Sequence, residues 1–240
     1  MSARLASDGG RLTLGERIVP VRLNRSDRRT LGITVSPEGH VELRAPRDAS
    51  LHAIEQRVER RQAWILEQLE RFDGFHPRTP QRRYVSGESF RLRGRQYRLR
   101  IDSQRSRGVR LEGDRLVVGG VADASSVQRA LAKWYGAEAR RTFDERLGAT
   151  VPRFRFAGLS TPKITVRRLE QRWGSMSRDG TTLILNTRLV EAAPELIDYV
   201  IAHELMHILH PDHGAAFVGT MDRLMPDWRQ RKERLEHSLL

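Results

Sequence analysis

The chain has 240 residues, 38% of them hydrophobic and 30% charged, which is enough for one sizeable core or two small ones. It contains no cysteine, and this excludes disulfides, thiolate metal ligands and a thiol nucleophile. The net charge of +13 is typical of proteins that bind polyanions, although the strong preference for arginine over lysine is also expected of a GC-rich genome.

The first predicted elements are a β-hairpin and a long helix. Apolar side chains alternate along residues 31–35 and 41–45, on either side of a Pro-Glu-Gly turn at 37–39. Between residues 50 and 72 the apolar positions recur at helical spacing. A proline-containing connection at 75–83 leads to a second β-region.

Ten arginines and only two acidic residues occur between Arg82 and Arg110, so the positive charge is concentrated in this segment. Apolar residues alternate here with arginines, which predicts a β-ribbon with one apolar face and one basic face. The arginines expected on the basic face are Arg91, Arg93, Arg98 and Arg100. Such a ribbon is a candidate nucleic-acid contact, and a solvated sheet face is the alternative.

The remaining elements are mostly helical. A strand is predicted at 116–118 and an amphipathic helix at 127–147, before Gly148. Alternating runs at 164–166 and 183–185, joined by a loop that contains an Asp-Gly turn, predict a second hairpin. This order predicts an α+β protein.

An HExxH motif occupies His203 to His207, and its two histidines are four residues apart. On a helix this spacing puts both imidazoles on one face, where they can share a metal ion. Pro194 marks the helix start, and buried positions on the other flanks support the helical register. Glu204 is rotated away from the histidines and is the expected general base for the attacking water.

A catalytic zinc usually takes a third protein ligand. The candidates are His210, Asp212, His213, Glu233 and Glu236. His210 would stand about 10 Å along the helix axis from His203, too far to share an ion with it. Pro211 should end the helix near Leu209 and let His213 return toward the metal. The spacing of His213 also equals that of the extended HExxHxxGxxH signature, although His210 occupies the usual glycine position.

These motifs resemble the YgjP-like metallopeptidases, relatives of the WLM and SprT-like families among the zincins. The resemblance covers nearly the whole chain and rests on GESFRLRGRQYRL at 87–99, RWGSMS at 172–177, Leu185-Asn186, IDYVIAHELMH at 197–207 and HGAAF at 213–217. It implies a zincin-like catalytic half, with zinc (Zn²⁺) on His203, His207 and His213 and with Glu204 as the base. The family often has cysteine where this chain has Met176, so we expect no ligand or redox role there.

The resemblance also suggests where substrate binds. In zincins a strand beside the active-site helix often pairs with an extended substrate, and the candidate residues here are Trp173, Ser175 and Asn186. Alternatively, Trp173 and Asn186 pack or cap the hairpin. Phe217 is expected in the core rather than in catalysis.

We expect a β-rich N-terminal region with the basic ribbon at 1–120 and a zincin-like metallopeptidase domain at 121–240. The expected function is zinc-dependent hydrolysis of protein or peptide substrates. The SprT-like resemblance and the ribbon together raise the hypothesis that the substrates are nucleic-acid-associated proteins. Two alternatives stay open, namely a nucleic-acid-binding module with a structural zinc and a zinc hydrolase of non-peptide amides.

No segment combines the features of a signal peptide, and no apolar run approaches the roughly 20 residues of a membrane helix. We therefore expect a cytoplasmic protein without membrane contact. The sequence leaves open the natural substrate, any trigger of activity and the oligomeric state.

Overall fold

The computed structural model describes residues 3–6, 10–36, 39–73, 82–169 and 172–239. Most of the predicted connection at 75–83 and the first two residues of the turn at 37–39 lie outside this description. The protein is α+β and divides into two compact units, one up to residue 79 and one from 80 to 239. Within the described residues, no helix combines the length and apolar character needed to cross a membrane.

The first unit contains a five-stranded sheet in the order β1-β2-β3-β5-β4. Its strands are β1 (Ala3–Leu5), β2 (Arg11–Leu14), β3 (Arg17–Ser26), β4 (Gly32–Val35) and β5 (Val41–Pro46). The predicted hairpin is confirmed, because β4 and β5 pair antiparallel with Ile33 opposite Leu43. Strand β3 runs parallel to β5 and joins the hairpin to β1 and β2.

The single helix predicted at 50–72 is two helices, α1 (Leu51–Glu59) and α2 (Gln62–Asp73). Ser50 caps the first, since its Oγ accepts a hydrogen bond from the Ala53 N–H at 3.2 Å. The break follows from a tighter turn in which the Arg61 N–H bonds to the Val58 carbonyl. No glycine or proline marks this turn, so the sequence pattern runs through it unchanged.

The second unit contains two small sheets, ordered β6-β7-β9-β8 and β10-β12-β11. Their strands are β6 (Ser89–Leu92), β7 (Arg95–Asp102), β8 (Gly108–Glu112), β9 (Arg115–Gly119), β10 (Lys163–Arg167), β11 (Gly174–Met176) and β12 (Thr182–Asn186). The helices are α3 (Ala124–Thr150), α4 (Pro194–Leu209), α5 (Ala215–Leu224) and α6 (Trp228–Leu239), with 3-10 helices at Val151–Ala157 and Thr187–Glu191.

The hairpin predicted from the runs at 164–166 and 183–185 is wrong. These runs are β10 and β12, which pair parallel with Ile164 opposite Leu183. The hairpin is formed instead by β11 and β12, around the Asp-Gly turn. Strand β11 has only three residues, too few to give an alternating pattern in the sequence.

The boundary expected at residue 120 lies inside the second compact unit. Phe90 and Leu99, from the strands before this position, are buried in the same core as Phe143 of α3 and Leu205 of α4. The basic ribbon and the motif helix therefore share one hydrophobic core.

Helix α4 is held firmly in this core. Besides its apolar residues it buries Asp198, whose two carboxylate oxygens accept hydrogen bonds of 2.7 and 2.5 Å from Arg146 of α3. A two-point contact of this kind fixes orientation as well as distance. It therefore fixes the rotation of α4 about its own axis, and so the direction in which the HExxH side chains point.

Candidate metal centre

Helix α4 carries the HExxH motif and ends at Leu209, as predicted from Pro211. His210 has left the helical region, with φ −134° and ψ 97°, as expected of a residue before proline. The next helix, α5, begins at Ala215, and Asp212 supports the turn by accepting the Gly214 N–H at 3.0 Å. This reversal carries His213 back alongside α4.

His203, His207 and His213 form a cluster whose possible ligand atoms all lie within 4.8 Å of one another. The Nε2 atoms of His203 and His213 are 3.1 Å apart. Three imidazole nitrogens directed at one small volume are the donor set that a tetrahedral zinc site uses. The residues present therefore fit a divalent metal.

The surroundings of the cluster favour the neutral forms of His203 and His213. Burial, followed by the neighbouring His207 and His213, lowers the pKa of His203 to about 4. Partial desolvation of the otherwise exposed His213 side chain, followed by the neighbouring His207, lowers the pKa of His213. The buried ring of Phe217 lies 4.7 to 5.4 Å from the three imidazole centroids. Neutral imidazole is the form that binds a metal. The burial of Phe217 confirms it as a core residue.

His210 lies beside the cluster and contributes through its backbone. Its carbonyl oxygen is 3.3 Å from Nδ1 of His207, a contact that orients the His207 ring and leaves Nε2 for a metal. The His210 side chain is directed elsewhere, with Nε2 3.4 Å from Thr220 Oγ1. Nδ1 of His203 is buried without a hydrogen-bond partner among the described residues.

Glu204 is buried, with 8% of its surface exposed, and it faces the short strand β11. Its Oε2 accepts a hydrogen bond of 3.1 Å from the Met176 N–H. Burial raises the pKa of Glu204 to about 7, against smaller opposite effects of the Met176 hydrogen bond and of Arg172. A carboxyl group with a pKa in this range exchanges protons readily near neutral pH.

Strand β11 passes unusually close to Glu204. A Cβ atom added to Gly174 would lie 2.8 Å from Glu204 Cγ and 3.0 Å from its Oε1. Gly174 has no positive φ, so glycine is needed here for the close approach of strand and carboxylate. This glycine lies within the RWGSMS motif, but no sequence pattern marks its role, and none marks the role of the Met176 backbone.

Among the described residues, β11 is an edge strand whose ladder partner is β12. The residues on either side of β11 bond to β12. The Trp173 carbonyl accepts the Asn186 N–H, and the Ser177 N–H donates to the Thr182 carbonyl. Because backbone groups alternate along a strand, those of Gly174 and Met176 point to the opposite edge, where the Met176 N–H reaches Glu204. The edge of β11 opposite β12 therefore faces the candidate base Glu204, which accepts the Met176 N–H and packs on Gly174.

The three predicted substrate residues lie around this strand in different environments. Trp173 is half-buried against the core, with the Arg188 guanidinium 5.9 Å from its ring centroid. Ser175 is half-buried, and its Oγ is 3.4 Å from an Arg172 nitrogen.

Asn186 is only 3% exposed. Its amide nitrogen donates to the Leu169 and Arg172 carbonyls, and its oxygen caps the following 3-10 helix. The position of Asn186 favours the capping alternative.

The arginines of the predicted ribbon do not all share one face. Arg91, Arg98 and Arg100 are exposed on the face opposite the apolar residues of β6 and β7. Arg93 instead occupies the turn between these strands, with φ 49°, and its Nε donates to Thr142 Oγ1 at 3.0 Å. The alternation predicted for Arg93 fails because a two-residue turn interrupts the strand there.

Partners inside the second unit moderate the charge of the ribbon. An Arg100 nitrogen lies 3.4 Å from an Asp102 oxygen, and Arg91 donates to the Ser238 carbonyl at 2.5 Å. Arg98 makes no side-chain hydrogen bond or ion pair with the described residues. Arg98 is thus the ribbon arginine most available to a ligand, and Arg100 is exposed beside its partner Asp102.

Comparison with protein families matches residues 29–238 to the family described as YgjP-like, metallopeptidase domain. Among solved structures, the metallopeptidase zymogen abylysin of Pyrococcus abyssi is similar at 18% identity, over 39% of this chain and 90% of that chain, with a TM-score of 0.35. The zymogen jannalysin of Methanocaldococcus jannaschii is similar at 23% identity, over 43% and 91%, with a TM-score of 0.34. Comparison with curated proteins found no significant match.

Proposed function

The chain belongs to the YgjP-like metallopeptidase family, and on this premise we propose that it hydrolyses peptide bonds with a zinc ion held by His203, His207 and His213. The observation that carries the proposal is the convergence of three imidazoles beside Glu204, a buried carboxylate on the same helix. Zinc is the metal that three-histidine sites of this kind commonly hold.

The proposed mechanism assigns each step to a residue of the chain. When bound, the ion supplies Lewis acidity toward a water molecule and toward the peptide carbonyl. Glu204 accepts the proton of the attacking water and transfers it to the nitrogen of the leaving amine. The Met176 N–H donates a hydrogen bond to Oε2 of Glu204, which leaves Oε1 to accept and release the proton.

We propose that an extended substrate lies along β11 on the side of Glu204. The backbone groups of Gly174 are directed toward this edge, where Gly174 is buried against Glu204. Ser175 and Trp173, on the same segment, are the side chains closest in sequence to such a substrate, and we keep them as candidate contacts. Asn186 has a supporting role in this scheme, because its amide holds the loop that leads into β11.

Two features favour a peptidase over the alternatives. In the described part of the chain the candidate metal group has three members, which leaves a fourth position for water, whereas a structural zinc site is normally closed by four protein ligands. A strand edge beside the base suits an extended peptide better than a small non-peptide amide. We therefore propose that residues 121–240 carry the zincin-like catalytic machinery.

Removal of the metal should abolish activity reversibly. We expect cleavage of an unfolded protein substrate to fall to background in the chelated protein, because no residue replaces the Lewis acid, and to return with one equivalent of zinc. Gel-based cleavage tests this, with circular dichroism as a control that the metal-free protein stays folded. Full-rate cleavage by protein verified to be metal-free would contradict the proposal.

We also propose that the substrates include proteins associated with nucleic acid, and that the arginine ribbon contacts the polyanion. The exposed positions of Arg91, Arg98 and Arg100 on one sheet face support this. Contacts of this kind act on phosphates and carry no sequence information.

Replacement of Arg98 and Arg100 by glutamine should weaken binding to duplex DNA about fivefold at low salt and reduce the slope of log K against log salt by about 1 to 2, since each lost phosphate contact removes about 0.9. Fluorescence anisotropy over a salt series measures both quantities. The matched control replaces Arg140 and Arg155, which are exposed in the same unit. Equal binding by the two double variants would remove the ribbon from the proposal.

A further inference from the structure

The first unit contains a concave basic surface to which no role has been assigned. It consists of two adjoining depressions of about 420 and 410 Å³ that share Leu31 and Arg57 in their linings. We call this surface the N-terminal groove. It is formed by the start of β4, the loop after β5, helix α1 and the first turn of α2. Each depression falls within the range of about 300–1,000 Å³ that small-ligand sites occupy.

Positive charge is concentrated around this groove. Its lining contains five arginines and one acidic residue, Asp48. The arginines are Arg28, Arg29, Arg57, Arg60 and Arg61. Residues 1–79 contain 14 arginines and 11 acidic residues, a net excess of three positive charges. The groove lining alone has an excess of four positive charges. The net positive charge of this segment is therefore concentrated at the groove.

These guanidinium groups are largely uncompensated. Within the described residues, Arg29, Arg57 and Arg61 make no side-chain hydrogen bond or ion pair, and Arg60 uses only its Nε, which donates to the Gln56 carbonyl at 3.3 Å. The Arg28 guanidinium lies against Gly32, with its buried Nε lacking a hydrogen-bond partner there. Uncompensated arginines in a concave surface attract and orient anionic groups.

The groove also carries apolar and aromatic surface. Trp64 of α2 is 39% exposed, and the half-buried Leu31 and Ile33 line the same depression. An exposed indole between arginines offers a flat surface on which a nucleobase can stack while the guanidinium groups contact phosphates. An acidic peptide would use the arginines but has no need of the indole.

We propose that the N-terminal groove binds single-stranded nucleic acid, with phosphates on Arg57 and Arg61 and a base stacked on Trp64. A duplex keeps its bases stacked inside and presents no free base face to the indole, so the groove should discriminate against it. This inference does not depend on the peptidase activity, and it concerns a different surface from the arginine ribbon.

The test is fluorescence anisotropy of a labelled 15-nucleotide oligo-dT with the full-length, zinc-loaded protein at low salt. We expect Arg57→Gln/Arg61→Gln to weaken binding at least tenfold and Trp64→Ala about fivefold, whereas Trp64→Phe should retain most of the affinity because phenylalanine still stacks. The matched control is Arg4→Gln/Arg11→Gln, with the same charge change at exposed strand positions of the same unit, and it should stay within twofold of wild type.

Three results would overturn the proposal. They are equal affinity of the groove variants and the control, equal affinity of wild type for duplex and single strand with no effect of Trp64→Ala, and displacement of the oligonucleotide by polyglutamate at equal charge concentration. Cleavage of a short peptide should be unchanged in every groove variant. A failed groove test with normal cleavage therefore leaves the peptidase proposal standing, and the reverse result leaves the groove standing.

Discussion

Replacement of Glu204 by glutamine is expected to lower the rate of peptide hydrolysis at least about 100-fold, the lower end of what a general base contributes, with zinc stoichiometry unchanged. Glutamine has the shape of glutamate and can still accept the Met176 N–H hydrogen bond, so the packing against β11 should survive. It cannot accept a proton at neutral pH. The variant therefore separates proton transfer from folding and from metal binding.

The measurement is cleavage of an unfolded protein by wild type and variant at equal zinc content, with zinc determined by atomic absorption. Glu195→Gln is the matched control, since it makes the same chemical change in the first turn of the same helix, where Glu195 pairs with Arg234 at 2.8 Å. The control should remain within about twofold of wild type, as expected of an exposed ion pair. If Glu204→Gln cleaved at the wild-type rate with full zinc, another group would have to be the base.

Replacement of His213 by alanine is expected to lower zinc affinity by more than 100-fold. Loss of groups that merely support a metal ligand costs about 10- to 100-fold, and His213 is proposed to be a ligand itself. Its side chain is exposed, so truncation leaves no cavity in the core. Competition with a chromophoric chelator measures the affinity directly, without reference to catalysis.

Two neighbouring substitutions make this test specific to His213. His210→Ala should keep zinc affinity within a few-fold, because His210 supports the site through its backbone carbonyl. Asp212→Asn should behave similarly, since an asparagine oxygen can still accept the Gly214 N–H. Loss of zinc in His210→Ala with retention in His213→Ala would reverse the assignment of the third ligand.

The geometry of the histidine cluster could be anticipated because it depends on local rules. Helical periodicity puts His203 and His207 on one face, and Pro211 ends the helix at Leu209. The return of His213 then needs only a short turn. All these signals lie within about a dozen residues, where sequence spacing and spatial distance are closely related.

The parts that could not be anticipated depend on contacts distant in sequence or on very short elements. The parallel pairing of β10 with β12 leaves no local trace, and β11 is too short to show a period. The orientation of Arg93 depends on Thr142, 49 residues away. The first three strands were also missed, since β1 and β2 have only three and four residues and β3 carries exposed polar side chains along much of its length.

Because Gly174 has no side chain, it sets the short distance between β11 and Glu204, two parts of the proposed machinery. The strand that would align the substrate and the carboxylate that would receive the proton are in direct contact there, with no room for a methyl group. A small displacement of β11 would therefore be passed to Glu204, because packed atoms cannot absorb it. Substrate docking and base alignment would in this way be adjusted together, and the close contact between the β11 backbone and Glu204 would limit the movement of both.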